Sequence, residues 1–329
     1  MRLSILDQSP VSDSMTSAQA IGNTMDLVQR ADALGYYRYW FAEHHGNASF
    51  ASATPEVMMA YAAARTKRIR LGSGGILLGH VSALKVAEAV RLLEALAPGR
   101  IDAGFGRAPG GDARAVRALR SNPHDAYQRL EDVLTFLKDS RQASDDGNVV
   151  AVPDTVSAPE VWLLGTSSDS ARTAARLGLR YAFGAFIDPS NANESLAVYH
   201  AEFVPSPFCP TPTTMLATVV FCADTDANAR RLSQTTEQWF VRNFLRAGND
   251  RFFAASDTFE MSDRERMIVT MRHKHILIGD PVRVADGLRE IASKYATEEV
   301  SIVTITDEHT ARVRSYELIA EAMSLAHSN

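Results

Sequence analysis

The sequence predicts an α/β protein whose eight parallel strands close into a (β/α)8 TIM barrel. The first four β-branched or apolar runs start at residues 3, 36, 69 and 101, so they are 33, 33 and 32 residues apart. This spacing is typical of one strand plus one helix. Between these runs, apolar residues recur at helical spacing and capping residues mark the helix ends. A doubly wound open sheet is the alternative that this alternation leaves open.

The predicted strands are residues 3–9, 36–42, 69–78, 101–106, 161–165, 181–186, 214–222 and 300–306. The predicted helices are residues 16–34, 56–65, 83–96, 125–138, 168–177, 190–203, 226–246 and 281–295. Gly35 ends the first helix, while Pro55 and Pro281 each follow a capping residue at a helix start. The 77 residues from 223 to 299 exceed what one helix needs and predict an insertion before the last strand. We expect one domain, residues 1–329, with 248–275 as a candidate active-site lid.

The composition excludes several classes of protein. The chain has 329 residues, of which 46% are apolar and 22% charged, a globular composition. Its net charge of -5 argues against binding to nucleic acid or to an anionic membrane surface. Two cysteines, Cys209 and Cys222, cannot form a disulfide framework, which favours a reducing compartment. No apolar run reaches the ~18 residues of a membrane span, so we expect a cytoplasmic protein.

In (β/α)8 enzymes the active site lies at the carboxyl ends of the strands. Glu43, His44 and His45 follow the second predicted strand. Adjacent residues on an extended chain point to opposite sides, so the two histidines are poorly placed to bind one metal ion. One imidazole at the barrel mouth suits acid–base chemistry, although a structural histidine pair is the alternative. The histidines 273 and 275 lack an evident third ligand, so no metal site is predicted.

Three further loops suggest a bound ligand, and two of them suggest that it carries a phosphate group. The glycines in 72–75 indicate either the close approach of something flat or a turn that barrel packing requires. Arg107 lies in a glycine-rich loop and suits either a phosphate or a surface ion pair. After the fifth strand, hydroxyl side chains gather at a helix start, where amides and the helix dipole favour an anion. These are Thr166, Ser167, Ser168 and Ser170, and N-capping explains only one or two of them.

Five segments together resemble the bacterial luciferase-like flavin-dependent monooxygenases. They are DQSP at 7–10, AEHH at 42–45, GSGG at 72–75, GRAPG at 106–110 and WLLGTS at 162–167. Their order and spacing match the family from the first residues to about Phe186, with looser agreement over 280–295. The resemblance implies a (β/α)8 barrel with an insertion before the last strand.

The resemblance also implies a chemistry and a set of residues. Reduced FMN, supplied by a separate flavin reductase, would react with O2 to a flavin hydroperoxide that inserts one oxygen atom into a small organic substrate. The family's catalytic histidine corresponds to His44, and its non-proline cis peptide beside the flavin ring corresponds to Gly74-Gly75. Leu164 and Gly165 would flank the ring. The phosphate would lie on Arg107, Thr166, Ser167 and Ser170, and a homodimer is expected.

Departures from the family pattern limit what the resemblance implies. Gly106 stands where light-emitting luciferases have a reactive cysteine, so luminescence is not implied. Gly79-His80 replaces a proline-containing turn common in close relatives. A deazaflavin- or flavin-dependent oxidoreductase without oxygen insertion is the alternative enzyme. A flavin-binding protein without turnover is the non-catalytic alternative.

Overall fold

Parallel strands in the computed structural model, which describes residues 1–138, 149–153, 158–273 and 275–325, form a closed barrel. In chain order the strands are β1 (Arg2–Asp7), β2 (Arg38–Phe41), β3 (Arg70–Ser73), β4 (Ile76–Leu77), β5 (Ile101–Gly106), β6 (Glu160–Gly165), β7 (Arg180–Gly184), β8 (Thr214–Cys222), β9 (Leu277–Gly279) and β10 (Glu299–Val303). β10 pairs with β1 on one side and with β8 on the other. This pairing closes the barrel, which confirms the predicted fold class and excludes the open sheet.

The third predicted strand, 69–78, is divided into β3 and β4. Both halves pair with β5, through Leu71 with Ile101 and through Ile76 with Phe105. The interruption is Gly74-Gly75, whose peptide bond is cis. Gly75 lies directly against Gly104 of β5, so two neighbouring strands have glycine backbone at this level of the barrel.

Helices alternate with the strands on the outside of the barrel. They are α1 (Ser17–Leu34), α2 (Pro55–Ala63), α3 (Ala83–Leu96), α4 (Ala113–Ala118), α5 (Ala126–Leu137), α6 (Ser168–Arg176), α7 (Ala192–Glu202), α8 (Asp226–Phe240), α9 (Asp263–His273), α10 (Pro281–Lys294) and α11 (His309–Ala322). Capping explains several ends: Thr16 forms a capping box with Gln19, and Gly35 adopts φ 87° after α1. Asp280 caps α10 just before Pro281. No helix in the described part of the chain is long and apolar enough to cross a membrane.

The predicted insertion is real, and it contains more regular structure than a loop. α8 continues into a π-helical turn, Val241–Leu245, and α9, β9 and α10 follow it. β9 extends the sheet by pairing with the end of β8. Phe252 is fully buried and bridges to Ser12 in the loop after β1. The start of the proposed lid, 248–275, is thus packed against the barrel; Lys274 lies outside the described residues.

Candidate active site

A cavity of about 480 Å³ opens at the carboxyl ends of the barrel strands. All eight residues that the sequence assigned to cofactor binding line it: Gly74, Gly75, Arg107, Leu164, Gly165, Thr166, Ser167 and Ser170. One end of the cavity is polar and lies at the start of α6. The other end is apolar, with walls that include Leu6, Trp40, Phe186, Met215 and Ala217. One space therefore joins a polar end at the start of a helix to an apolar chamber.

The start of α6 supplies the polar end of the cavity. Ser167 is the N-cap of α6 and forms a capping box with Ser170. The Ser170 hydroxyl donates to the Ser167 carbonyl at 2.7 Å and lies 2.9 Å from the Tyr181 hydroxyl. Ser168 donates to Glu194. Thr166 makes no side-chain hydrogen bond with the residues that the structure describes, so its hydroxyl is the one available to a ligand.

Arg107 is exposed at the rim of this polar end. Its guanidinium lies 3.1 Å from a carboxylate oxygen of Asp169 and stacks 5.1 Å from the centre of the Tyr127 ring. Arg107 thus makes the surface ion pair that the sequence offered as one alternative, and it also lines the polar end of the cavity, as the phosphate-binding alternative requires. An exposed ion pair contributes little free energy, so a phosphate can compete with Asp169 for the guanidinium. Tyr127 also lines the cavity, and no sequence motif indicated it.

The glycine backbone forms a flat part of the wall. A Cβ atom on Gly75 would lie 2.8 Å from the Gly104 carbonyl oxygen, and one on Gly165 would overlap the Ser170 hydroxyl. Larger residues therefore do not fit there, which leaves bare backbone facing the cavity. Bare backbone next to an apolar chamber, with a polar helix start and an arginine at one end, fits a planar ring that carries a phosphate. FMN has this chemistry.

His44 lies outside the wall of this cavity. Its Nε2 is 2.6 Å from Oε1 of Gln8, and its ring stacks on Phe50 with centroids 4.4 Å apart. Burial, reinforced by the neighbouring His45, lowers the pKa of His44 to about 4. The imidazole is therefore neutral near pH 7, able to donate from one ring nitrogen and accept at the other.

His45 points away from His44, as the alternation of an extended chain predicts. His45 and His80 each place Nε2 within 2.9 Å of the same Glu43 carboxylate oxygen. The other oxygen of Glu43 accepts from the Leu77 amide at 3.1 Å. These three side chains have the donor types of a metal site, and their ligand atoms lie within 4.8 Å of one another. No sequence pattern indicated that His80 joins this pair, because the contact depends on how two loops pack.

The other histidine pair considered for a metal behaves differently. His273 Nε2 lies 2.7 Å from Glu237, and in the described part of the chain neither His273 nor His275 belongs to a cluster of three potential ligands. Among the described residues of 248–275, none lines the 480 Å³ cavity. α9 instead lies beside a second groove of about 220 Å³, which shares Phe186 and Ile187 with the cavity.

Comparison with known proteins identifies the family. Residues 1–298 match the luciferase-like monooxygenase family model. The uncharacterized protein YwcH of Bacillus subtilis is 38% identical over 333 residues, covering 98% of this chain and 99% of that protein. A luciferase-like monooxygenase of Escherichia coli K12 is 34% identical, covering 96% and 95%. The N-acetyl-S-alkylcysteine monooxygenase of Bacillus subtilis is 33% identical, covering 99% of each chain.

Solved structures agree with this relationship. The crystal structure of apo-MsnO8 superposes with a TM-score of 0.87 at 36% identity, covering 98% of both chains. More distant proteins share the fold alone. They include a type II Baeyer-Villiger monooxygenase from Pseudomonas putida in complex with FMN (TM-score 0.74, 18% identity, 98% of both chains). An F420-dependent secondary alcohol dehydrogenase is another (TM-score 0.69, 10% identity, 98% of both chains). The chain therefore belongs to the luciferase-like monooxygenase family of enzymes.

Proposed function

We propose that this enzyme is an FMN-dependent monooxygenase of the two-component type. The observation that carries the proposal is the single cavity that joins the anion-binding start of α6 to a glycine-backed apolar chamber. When bound, reduced FMN supplies the electrons that activate O2, so that one oxygen atom is transferred to an organic substrate. A separate flavin reductase delivers the reduced cofactor to a cytoplasmic homodimer, and 248–275 closes over the site.

The chain's own residues have distinct tasks in this proposal. Arg107, the Thr166 hydroxyl and the amides at the start of α6 hold the phosphate, where Ser167 and Ser170 fix the backbone. Gly74, Gly75, Leu164 and Gly165 contact the ring. The apolar residues around Trp40 and Met215 exclude water from the reacting atoms. His44 contacts Gln8 and Phe50 and does not line the cavity, so its proposed proton exchange requires the bound substrate or cofactor to come within hydrogen-bond reach of the imidazole.

An arginine substitution tests whether the phosphate is recognised as proposed. Arg107→Ala removes charge-assisted hydrogen bonds worth roughly 1.5–3 kcal/mol each, so FMN binding should weaken tenfold or more. Riboflavin, which lacks the phosphate, should bind Arg107→Ala and wild type almost equally. Titrations followed by flavin fluorescence give both affinities. Arg117→Ala is the control, since Arg117 is exposed on α4 and does not line the cavity. Equal losses for both flavins would show that Arg107 has a structural role.

The reaction itself distinguishes the candidate functions. A deazaflavin-dependent oxidoreductase remains the second candidate, because the F420-dependent dehydrogenase has the same fold. Wild-type enzyme is supplied with ¹⁸O2, cell metabolites and either reduced FMN or reduced F420, and products are read by mass spectrometry. The proposal expects a product that gains one labelled oxygen with FMN. Substrate oxidation or reduction without label, with F420, would favour the alternative.

A further inference from the structure

Arg272 near the end of α9 is a half-buried cation without a partner. Its guanidinium makes no hydrogen bond or ion pair with any residue that the structure describes, and it stacks 3.9 Å from the centre of the Phe240 ring. Burial lowers its pKa, with no carboxylate acting in the opposite direction. Arginine nevertheless keeps its charge in proteins. Arg272 therefore presents a charge that the folded chain leaves unneutralised.

A half-buried arginine that makes no hydrogen bond or ion pair is exceptional among the described residues. The other buried or half-buried arginines each bond to a carboxylate or to a backbone carbonyl. Those paired with carboxylates are Arg38, Arg70, Arg180, Arg242 and Arg312. Those bonded to carbonyls are Arg91, Arg100, Arg129 and Arg251. A partly desolvated cation without a partner is costly, and a bound anion would relieve that cost.

Arg272 lines the groove beside α9, and the rest of this groove is mostly apolar. Ile187, Ile268, Met271 and Ile276 contribute to its walls, and His275 lies at its edge. The acidic side chain that interacts with His275, Asp188, is already bonded to the backbone amide and the hydroxyl of Ser190. The groove thus combines one available positive charge with a surface that favours hydrocarbon.

The groove borders the proposed active site. Phe186 and Ile187, in the loop after β7, line both the groove and the 480 Å³ cavity. To reach both Arg272 in the groove and the apolar chamber around Met215 and Ala217, a ligand must pass over these two shared side chains. Arg107, the charged residue of the cavity wall, lies at the opposite, phosphate-binding end in the proposed function.

We propose that Arg272 binds the carboxylate of an amphiphilic organic substrate, whose apolar remainder passes Phe186 and Ile187 into the cavity. This inference rests on the proposed function, which places the reacting atoms in that cavity. A carboxylate is the matching anion because one guanidinium offers it two parallel hydrogen bonds and one compensating charge. A phosphate dianion would leave charge unmatched in a groove with one arginine.

The test compares a fatty carboxylate with its uncharged analogue. Octanoate and octanamide are titrated by calorimetry into protein saturated with FMN, so that the phosphate end is occupied. Wild type should bind octanoate about tenfold or more tightly than octanamide, and added salt should weaken this preference. Arg272→Gln should bind both compounds equally, whereas Arg272→Lys should keep part of the preference.

Control variants make each outcome decisive. Arg264→Gln removes an exposed arginine from the same helix and should leave the preference unchanged. Circular dichroism and FMN affinity establish that each variant is folded. A preference that survives in Arg272→Gln, or no preference in wild type, would overturn the proposal. A preference that disappears in Arg107→Ala instead would place the carboxylate at the phosphate end, and the proposal would be wrong.

Failure of the proposed function gives a different result. If FMN does not bind, or binds no better than riboflavin, the flavin titrations show it without any fatty ligand. A preference for octanoate that depends on Arg272 in FMN-free protein would then still identify the groove as a carboxylate site. The two proposals can thus fail separately.

Discussion

His44 and His45 are neighbours in the chain with separate surroundings. His44 contacts Gln8 and Phe50, and burial keeps it neutral near pH 7. His45 shares the Glu43 carboxylate with His80. Because the two histidines have different partners, each side chain can be removed without changing the direct contacts of the other. The two alanine variants can therefore be compared directly.

We predict that His44→Ala separates flavin binding from product formation. FMN should bind within a few-fold of wild type, because His44 does not line the cavity that holds the proposed phosphate site. Product formation should fall about 10²–10⁴-fold, the usual contribution of an acid–base group, and oxygen should be diverted to hydrogen peroxide. The ratio of product to peroxide at matched flavin saturation is the measurement.

His45→Ala is the matched control for this prediction. It removes a bond to the buried Glu43 carboxylate, so we expect a lower free energy of unfolding. The ratio of product to hydrogen peroxide, which measures how well oxygen use is coupled to product formation, should be nearly normal. If His45→Ala uncouples the reaction and His44→Ala does not, the assignment is on the wrong histidine. Normal coupling in both variants would mean that neither imidazole is catalytic.

For individual residues, the sequence predicted some positions around the cavity and missed others, and the difference has a physical reason. The cavity residues Gly74, Arg107 and Thr166 directly follow strands, so barrel topology alone brings them to one face. Tyr127 comes from α5, and Arg272 comes from the insertion. Their positions depend on how helices pack over the barrel, which the local pattern does not encode.

Among the secondary-structure elements, the divided third strand depends most strictly on residue identity. A Cβ atom on Gly75 would meet the carbonyl oxygen and carbon of Gly104 and the amide of Phe105, all backbone atoms that cannot rotate away. The element is therefore fixed by the absence of a side chain. The sequence showed the glycines but could not show whether a ligand or the neighbouring strand required them.

We predict opposite effects for two glycine substitutions. Gly75→Ala should lower the free energy of unfolding by about 1–3 kcal/mol through overpacking and should weaken FMN binding. Gly22→Ala, in α1, should raise the free energy of unfolding by about 0.5–1 kcal/mol. Nothing lies within 4 Å of the new methyl group, and alanine favours helix. Urea unfolding curves measure both changes. A Gly75→Ala protein as stable as wild type would show that β3 and β5 can separate at no cost.

Three helices escaped prediction: the short α4, which buries none of its residues, and α9 and α11, whose patterns are unusual. α11 buries Arg312 and Ser315 along with its apolar residues, so its inner face does not read as a hydrophobic stripe. Arg312 pairs with the buried Asp7 of β1. α9 buries little besides Val269 and lies in the segment predicted as a lid. Long-range ion pairing and marginal burial define these helices, and neither leaves a periodic signal in the sequence.

At the scale of the whole molecule, the two ends of the barrel differ in what fills them. The carboxyl ends of the strands surround the cavity, whereas a charged network occupies the amino ends. Arg38 at the start of β2 lies 2.7 Å from Asp102 of β5 and 2.6 Å from Glu299 of β10. Its side chain is 2% exposed. These contacts cross the inside of the barrel and join strands that are far apart in sequence.

We predict that Arg38→Met is strongly destabilising, because it leaves the buried carboxylates of Asp102 and Glu299 without their shared cation. Removing one partner of a buried ion pair costs about 3–5 kcal/mol. Arg30→Met, which breaks an exposed pair with Asp26, should cost at most about 1 kcal/mol. Urea unfolding at constant pH measures both. Adding Glu299→Gln to Arg38→Met should recover part of the loss if unpaired charge is the cause. A double variant less stable than the single would instead assign the cost to lost packing around Trp162, on which the Arg38 guanidinium stacks.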